Sequence, residues 1–393
     1  MNATVVAAPR RRLRFRALLA AGCATALAAL AACGSQSGGG AGGGDASVDI
    51  STVKAPILSG LSGAERTRVA TLIAQAKSEK SFTWVDSVVA PTTASAMITE
   101  FQKEYGLTFK PTFERLTSGD LSTRIQQEVT AQNFKTDFFG VASPRLFSTL
   151  KQAGALLKYS SPESSHYTYA SKYVSEQPGY WIAPVAYSFG VIVNPALYPT
   201  PITSWKQLSD PALKGKWDVA NVSANEGSLY WYYGLKQVLP KSTFESWAAN
   251  GPTTSSGSSA QEAQKVAEKQ VDATVTSGFR ASQIVSQTKV PLKVYYPSEG
   301  TVLNGQTYAI PSGAPDQAIA KLFDDFLLSK AGEQIYVDKE GIASFYQGVT
   351  APAADLAYQP SIASMTILPV NTDKISTSQL DDARNSWKSI FSR

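Results

Sequence analysis

Cysteine and histidine are almost missing from this chain of 393 residues, which has two cysteines, Cys23 and Cys33, and one histidine, His166. That set cannot build a cysteine or cysteine-histidine zinc site. A Ser-His-Asp hydrolase would have to use His166, which sits in a polar stretch at 160–171 that reads as a surface loop, and no G-x-S-x-G accompanies it. Neither H-E-x-x-H nor G-x-x-x-x-G-K-[ST] occurs, so zinc-peptidase and P-loop chemistry lose their usual signatures. No catalytic residue, metal or cofactor is expected.

An excess of one charge is missing too, once the N-terminus is set apart. Arg10, Arg11, Arg12, Arg14 and Arg16 precede an uncharged Leu/Ala-rich segment from Ala17 to Ala32, the layout of a secretory signal. This segment is shorter than the roughly 20 residues a helix needs to cross a hydrocarbon core. Taking the five arginines of residues 1–32 from the 36 Lys and Arg leaves 31, against 31 Asp and Glu. The remaining chain is near neutral, which argues against a nucleic-acid partner. It also retains only Cys33, so it can form no internal disulfide.

Leu30-Ala31-Ala32-Cys33-Gly34 closes the apolar segment and resembles the lipobox of bacterial lipoproteins. The resemblance implies cleavage before Cys33, lipid on its thiol, and residence on the outer face of the cell membrane. Residues 33–60 open with a Gly/Ser/Ala-rich run and read as a flexible tether.

Beyond the tether, strand and helix alternate. Ser62-Gly63-Ala64-Glu65 spells a capping box, and apolar residues at helical spacing predict helices around 94–105, 121–129, 146–150, 227–238, 260–270, 277–286 and 317–328. Strands are predicted at 82–85, within 107–113, at 138–141, 217–222 and 271–276, with extended chain from Tyr180 to Val193. This alternation implies an α/β sheet covered by helices.

The stretch from Pro201 to Lys216, with Ser204-Trp205, Asp210-Pro211 and Lys214-Gly215-Lys216, resembles a segment of bacterial extracellular solute-binding proteins, as do Pro297-Ser298-Glu299-Gly300 and Phe326-Leu327-Leu328-Ser329. The similarity runs from about Leu72 to Phe391 and is nearest to the ferric-ion-type branch, which also includes binders of phosphonates, sugar phosphates and polyamines. It implies a two-lobed periplasmic-binding-protein fold, each lobe a mixed sheet flanked by helices, joined by two crossover strands that form a hinge. On that plan residues 61–187 begin lobe 1, 188–296 form lobe 2, and 297–393 return to lobe 1 and add C-terminal helices. It further implies a monomer delivering a small solute to an ABC permease. The alternatives are a ferric-ion-binding protein, or an envelope or signalling lipoprotein of the same fold.

Open α/β sheets bind ligands where strands end and helices begin. Five loops fit that place: Asp86-Ser87, Thr117-Ser118-Gly119, Ser143-Pro144, Glu226-Gly227-Ser228 and Ser277-Gly278-Phe279. Ser and Gly at such points also serve simply as helix caps. Of the aromatic run Tyr230-Trp231-Tyr232-Tyr233, Trp231 and Tyr232 read as core, while Tyr230 and the crossover residue Tyr187 are placed at the cleft. Ser148-Thr149-Leu150-Lys151 spells S-x-x-K without the S-D-N and K-T-G partners of penicillin-binding proteins, and it lies on a packing helix.

The ferric relatives hold iron with adjacent tyrosines, a histidine and a glutamate. Here Phe279 and Arg280 stand at the tyrosine positions, Ala142 or Ser143 at the glutamate, and the loop from Asp86 to Pro91 has no histidine. A guanidinium repels a cation and suits a phosphate, phosphonate or carboxylate. Arg280 is therefore expected to bind an anionic solute.

The N-terminal pattern alone makes one outcome testable. One acyl chain anchors only marginally and two anchor stably. Cys33→Ala is expected to leave the precursor uncleaved or to release the protein, read by membrane fractionation and mass spectrometry of the N-terminus.

Overall fold

The structure, a computed structural model, describes residues 50–167, 174 and 177–391. The basic run, the apolar segment and Cys33 lie outside the described residues. Residues 50–60 are not part of a tether: Pro56–Gly60 is a 3₁₀ turn, Val53 and Leu58 are buried, and Arg66 donates to the Leu58 carbonyl.

The first half of the molecule begins with α1 (Gly63–Ala76), where Ser62 is the N-cap residue but its side chain makes no capping bond. β1 (Ser81–Asp86), α2 (Pro91–Tyr105), β2 (Lys110–Arg115), α3 (Ser118–Ala131), β3 (Phe138–Val141) and α4 (Pro144–Gln152) come next. Pro91 starts α2, where a missing N–H costs nothing, and Gly106 ends it at φ 60°, a left-handed cap that suits glycine. β1 pairs in parallel with β2 and β3. Trp84 in β1 is fully buried, with ring centroids 5.0 Å from Phe113 and 5.0 Å from Phe323.

β4 (Ile182–Val193) then runs through both halves and is buried throughout. The second half contains β5 (Trp217–Ala220), α5 (Glu226–Leu235), α6 (Lys241–Ala249), β6 (Thr253–Ser255), α7 (Ser259–Ala267), β7 (Ala273–Ser277), α8 (Arg280–Thr288) and β8 (Lys293–Tyr295). The chain returns through β9 (Leu303–Ala309), α9 (Gln317–Leu328), α10 (Lys330–Glu340) and β10 (Ala343–Ser344). The strand order β2-β1-β3-β9-β4-β7-β5-β6 makes one curled sheet, with β8 and β10 also on β4. Among the described residues no helix is long and apolar enough to cross a membrane.

Two of the stretches behind the family resemblance meet here. Ser204 and Gln207 form a capping box, and the Glu299 carboxylate accepts from the Ser204 hydroxyl and the Trp205 N–H. Trp205 Nε1 donates to the Gly300 carbonyl at 2.8 Å and Trp247 Nε1 to the Trp205 carbonyl at 3.0 Å. These residues pin the second crossover to the second half, and they do so without touching the cleft.

The C-terminus corrects one expectation. Beyond β10 the chain does not stay with the first half: α11 (Thr377–Phe391) packs on α5 and α6. Trp387 meets the Tyr232 ring edge-on at 5.1 Å, and Tyr296 Oη donates to the Tyr358 carbonyl at 2.8 Å. An amphipathic helix by itself gives no hint of which half it will cover.

Gly140 in β3 shows how tightly the first half is packed. A Cβ there would lie 2.2 Å from Tyr308 Cε1 and 2.4 Å from Asp86 Oδ2. Overpacking of this kind costs about 1–3 kcal/mol, so Gly140→Ala is expected to lower the denaturant midpoint with an unchanged m-value.

Candidate functional site

A cleft of about 450 Å³ opens beside β4, between the two halves. Ser87, Val88, Arg115, Leu116, Thr117 and Ser118 line it from the first half, and Ala224, Asn225, residues 257–261, Ser277, Phe279 and Arg280 from the second. Tyr187 stands at the level where β4 changes partner from β9 to β7. Four helices begin here: α3, α5, α7 and α8. Their first turns present N–H groups and the positive ends of their dipoles. Among the described residues two arginines line the cleft and no Asp or Glu does.

The two arginines differ. Arg115 closes β2, is partly exposed, and its side chain makes no ion pair or hydrogen bond among the described residues. Arg280 is only 1% exposed and each of its three guanidinium nitrogens is bonded to protein. Its Nε reaches Ser259 Oγ at 3.2 Å, Nη1 donates to Gln283 Oε1 at 2.7 Å and Glu340 Oε2 at 3.2 Å, and Nη2 to the Val88 carbonyl at 2.7 Å. Burial, followed by the nearby Arg115 charge, pushes its pKa down to about 10, so it stays charged at neutral pH. Four of the five Arg280 N–H donors are bonded to protein and one, on Nη2, is left over, whereas the Arg115 guanidinium has no side-chain bond among the described residues and is the more open to the cleft.

Of the other expected site residues, Ser87, Thr117, Ser118, Tyr187, Ser277 and Phe279 are brought together in the cleft. The Ser87 hydroxyl has no hydrogen-bond partner among the described residues. The remaining five and Tyr230 do not line it. Gly119 faces the Ala224 carbonyl of the other half, 3.7 Å from where a Cβ would sit, an ordinary contact distance. Gly227 leaves room for the Tyr187 hydroxyl, 3.0 Å from its would-be Cβ, and Gly278 for that of Tyr296 at 2.0 Å. Ser143 is buried at the start of α4, and burial raises the pKa of Glu226 at the start of α5. Ser228 is buried, its N–H capped by Asn225 Oδ1 at 3.1 Å.

Tyr230 is 1% exposed and borders a void of about 10 Å³ with Ala142 and Asn304, away from the cleft. Trp231 stacks on Phe189 and Trp247, and Tyr232 packs on Phe244, as core residues. His166 stacks on Tyr346 at 4.9 Å, and Lys151 lies over the Tyr180 ring at 4.8 Å. Sequence reasoning passes over Arg115, Asn225 and the 257–261 loop. The last does carry a signal, since Ser258-x-x-Gln261 is a capping box that the structure forms.

The profile of the bacterial extracellular solute-binding protein family matches residues 96–363, well over half of the chain. The chain belongs to that family. Among curated protein sequences none matches it significantly. Solved structures of this fold include the periplasmic binding protein AfuA from Actinobacillus pleuropneumoniae with fructose-6-phosphate bound. It is 19% identical, at a TM-score of 0.68, over 80% of this chain and 99% of that one. The substrate-binding protein of an ABC transporter from Agrobacterium tumefaciens is 16% identical, TM-score 0.67, over 80% and 96%. Iron-bound HitA from Pseudomonas aeruginosa is 15% identical, TM-score 0.63, over 79% and 99%. The fold of this solute-binding protein is therefore the two-lobed one, with a lobe on either side of the cleft.

Two buried carboxyls stand behind the cleft. Burial pushes Asp86 up to about 6, against bonds from the Val88 and Val89 N–H groups, and Glu262 up to about 8, against a bond from the Thr276 hydroxyl. A carboxyl whose folded pKa exceeds its unfolded value contributes stability that is full below the unfolded pKa and lost as pH rises through the folded one. The melting temperature is expected to fall between pH 5 and pH 9, and Glu262→Gln to flatten the part of that fall near pH 8, as read by circular dichroism.

Proposed function

We propose that this solute-binding protein is the capture component of an ABC importer, exported and held at the outer face of the cell membrane by lipid on Cys33, and that its cleft takes a small anionic solute. The observation that carries the reading is the charge of the lining: the unpaired Arg115 guanidinium, the ion-paired Arg280, four helix N-termini and, among the described residues, no carboxylate. A phosphate, phosphonate or carboxylate there meets Arg115, the Ser87 hydroxyl and first-turn N–H groups of α3 and α7. Each charge-assisted bond contributes about 1.5–3 kcal/mol. The cleft volume suits a molecule of hexose-phosphate size, and a neighbour of the same fold carries fructose-6-phosphate.

The iron reading is served less well by this lining. Among the described residues its only phenol is Tyr187, and none supplies an imidazole or a carboxylate, whereas a ferric ion needs several hard oxygen donors. Nothing in the cleft resembles a nucleophile with a base at hand, so binding rather than catalysis is the role it supports.

Calorimetry with fructose-6-phosphate, inorganic phosphate, methylphosphonate and succinate tests the proposal. At least one is expected to bind, with Arg115→Ala weakening it tenfold or more, because one lost charged bond exceeds the roughly 1.4 kcal/mol that tenfold requires. Tight ferric binding in anion-free buffer, with no response to any of the four, overturns it.

A further inference from the structure

Arg280 draws its partners from both halves of the molecule. Ser259 and Gln283 belong to its own half, while the Val88 carbonyl and Glu340, at the end of α10, belong to the other. Glu340 is engaged on both sides as well. Its Oε1 accepts the Ala90 N–H at 2.7 Å within its own half, and its Oε2 accepts Gln283 Nε2 at 2.6 Å besides Arg280. The Arg280 and Glu340 side chains are 1% and 0% exposed, and Phe279 covers the guanidinium at 4.2 Å. Every bond from Arg280 or Gln283 to Glu340 or Val88 breaks if the halves part, and the bonds within each half survive.

We propose that Glu340, supported by Gln283, is a positioning residue that holds Arg280 across the cleft and so sets the balance between open and closed protein before solute arrives. A buried ion pair gives back much of its attraction as lost hydration. The contact therefore favours closure weakly, and a solute that adds bonds to both halves decides the outcome. This explains why the more enclosed of the two cleft arginines is the one bonded to protein, leaving Arg115 to face the solute. The proposal rests on the reading of the chain as a binding protein whose halves part to admit solute, and not on the charge of that solute.

Small-angle scattering on the dialysed full chain, with no solute added, tests it. Glu340→Gln and Arg280→Gln are each expected to shift the radius of gyration upward with the far-ultraviolet dichroism unchanged. The double variant is expected to be no more open than either single one, because both remove the same contact. Gln283→Ala keeps both charges and removes three bonds, two of them to Glu340 in the other half, so it is expected to open the molecule part-way, and it serves if Glu340→Gln fails to fold. An unchanged radius in folded Glu340→Gln or Gln283→Ala, additive opening in the double variant, or an unsubstituted chain already open before solute overturns the proposal. Calorimetry with the four anions judges the anion reading separately, so either idea can fail alone.

Discussion

β4 is the constraint on which the rest of the structure depends. All of its residues are buried, so each backbone N–H and C=O must find a partner inside the protein. Residues up to Ser188 pair with β9 and those from Phe189 onward with β7, with β8 also at the far end. Pro184, which has no N–H to give, falls at the register shift between Ile182 and Val185, where the ladder with β9 is interrupted, and its carbonyl takes Phe345 N–H instead. Tyr187 and Ser188 sit where the partner changes, and Tyr187 emerges into the cleft at that point. Binding at the level where a sheet changes partners is what open α/β folds do generally.

Around that strand, the charges separate. Helix N-termini and arginines face the cleft, while Asp86 and Glu262 are turned into the protein and held by N–H and hydroxyl donors. Among the described residues one carboxylate pairs with an arginine of the cleft, that of Glu340, which reaches Arg280 from the end of α10 in the other half. Arg280 thereby serves as part of the wall, and Arg115 presents unneutralised charge to whatever enters. Small residues matter here mainly through what they make room for. Gly227 and Gly278 allow Tyr187 and Tyr296 to approach, so their place in the sequence reflects packing near the cleft more than contact with a solute.

Elements with a clear period and sharp ends are legible from the chain: β3 at Phe138–Val141 and α9 at Gln317–Leu328 fall where the pattern puts them. Less legible are α6 (Lys241–Ala249), β6 and the placement of α11, because short segments with mixed polarity do not announce which surface they will cover. The folded body begins earlier than composition suggests, because Pro56–Gly60 looks like linker, yet Leu58 reaches the core.

By itself, the sequence carried an N-terminal pattern resembling an export signal with a lipobox, a near-lack of cysteine and histidine beyond it, the α/β alternation and, through Ser204-Trp205 and Glu299, the family resemblance. These are local properties, set by residue type and by periods that act over one or two turns or strands. Only the tertiary structure decided which loops share a cleft, that Arg280 is bonded across it while Arg115 is not, and that Tyr230 points into the core. A side chain's freedom to bind depends on every group packed around it, and Glu340 lies 60 residues from Arg280 along the chain. Neither residue type nor spacing carries that information, because only the folded sheet brings the two together.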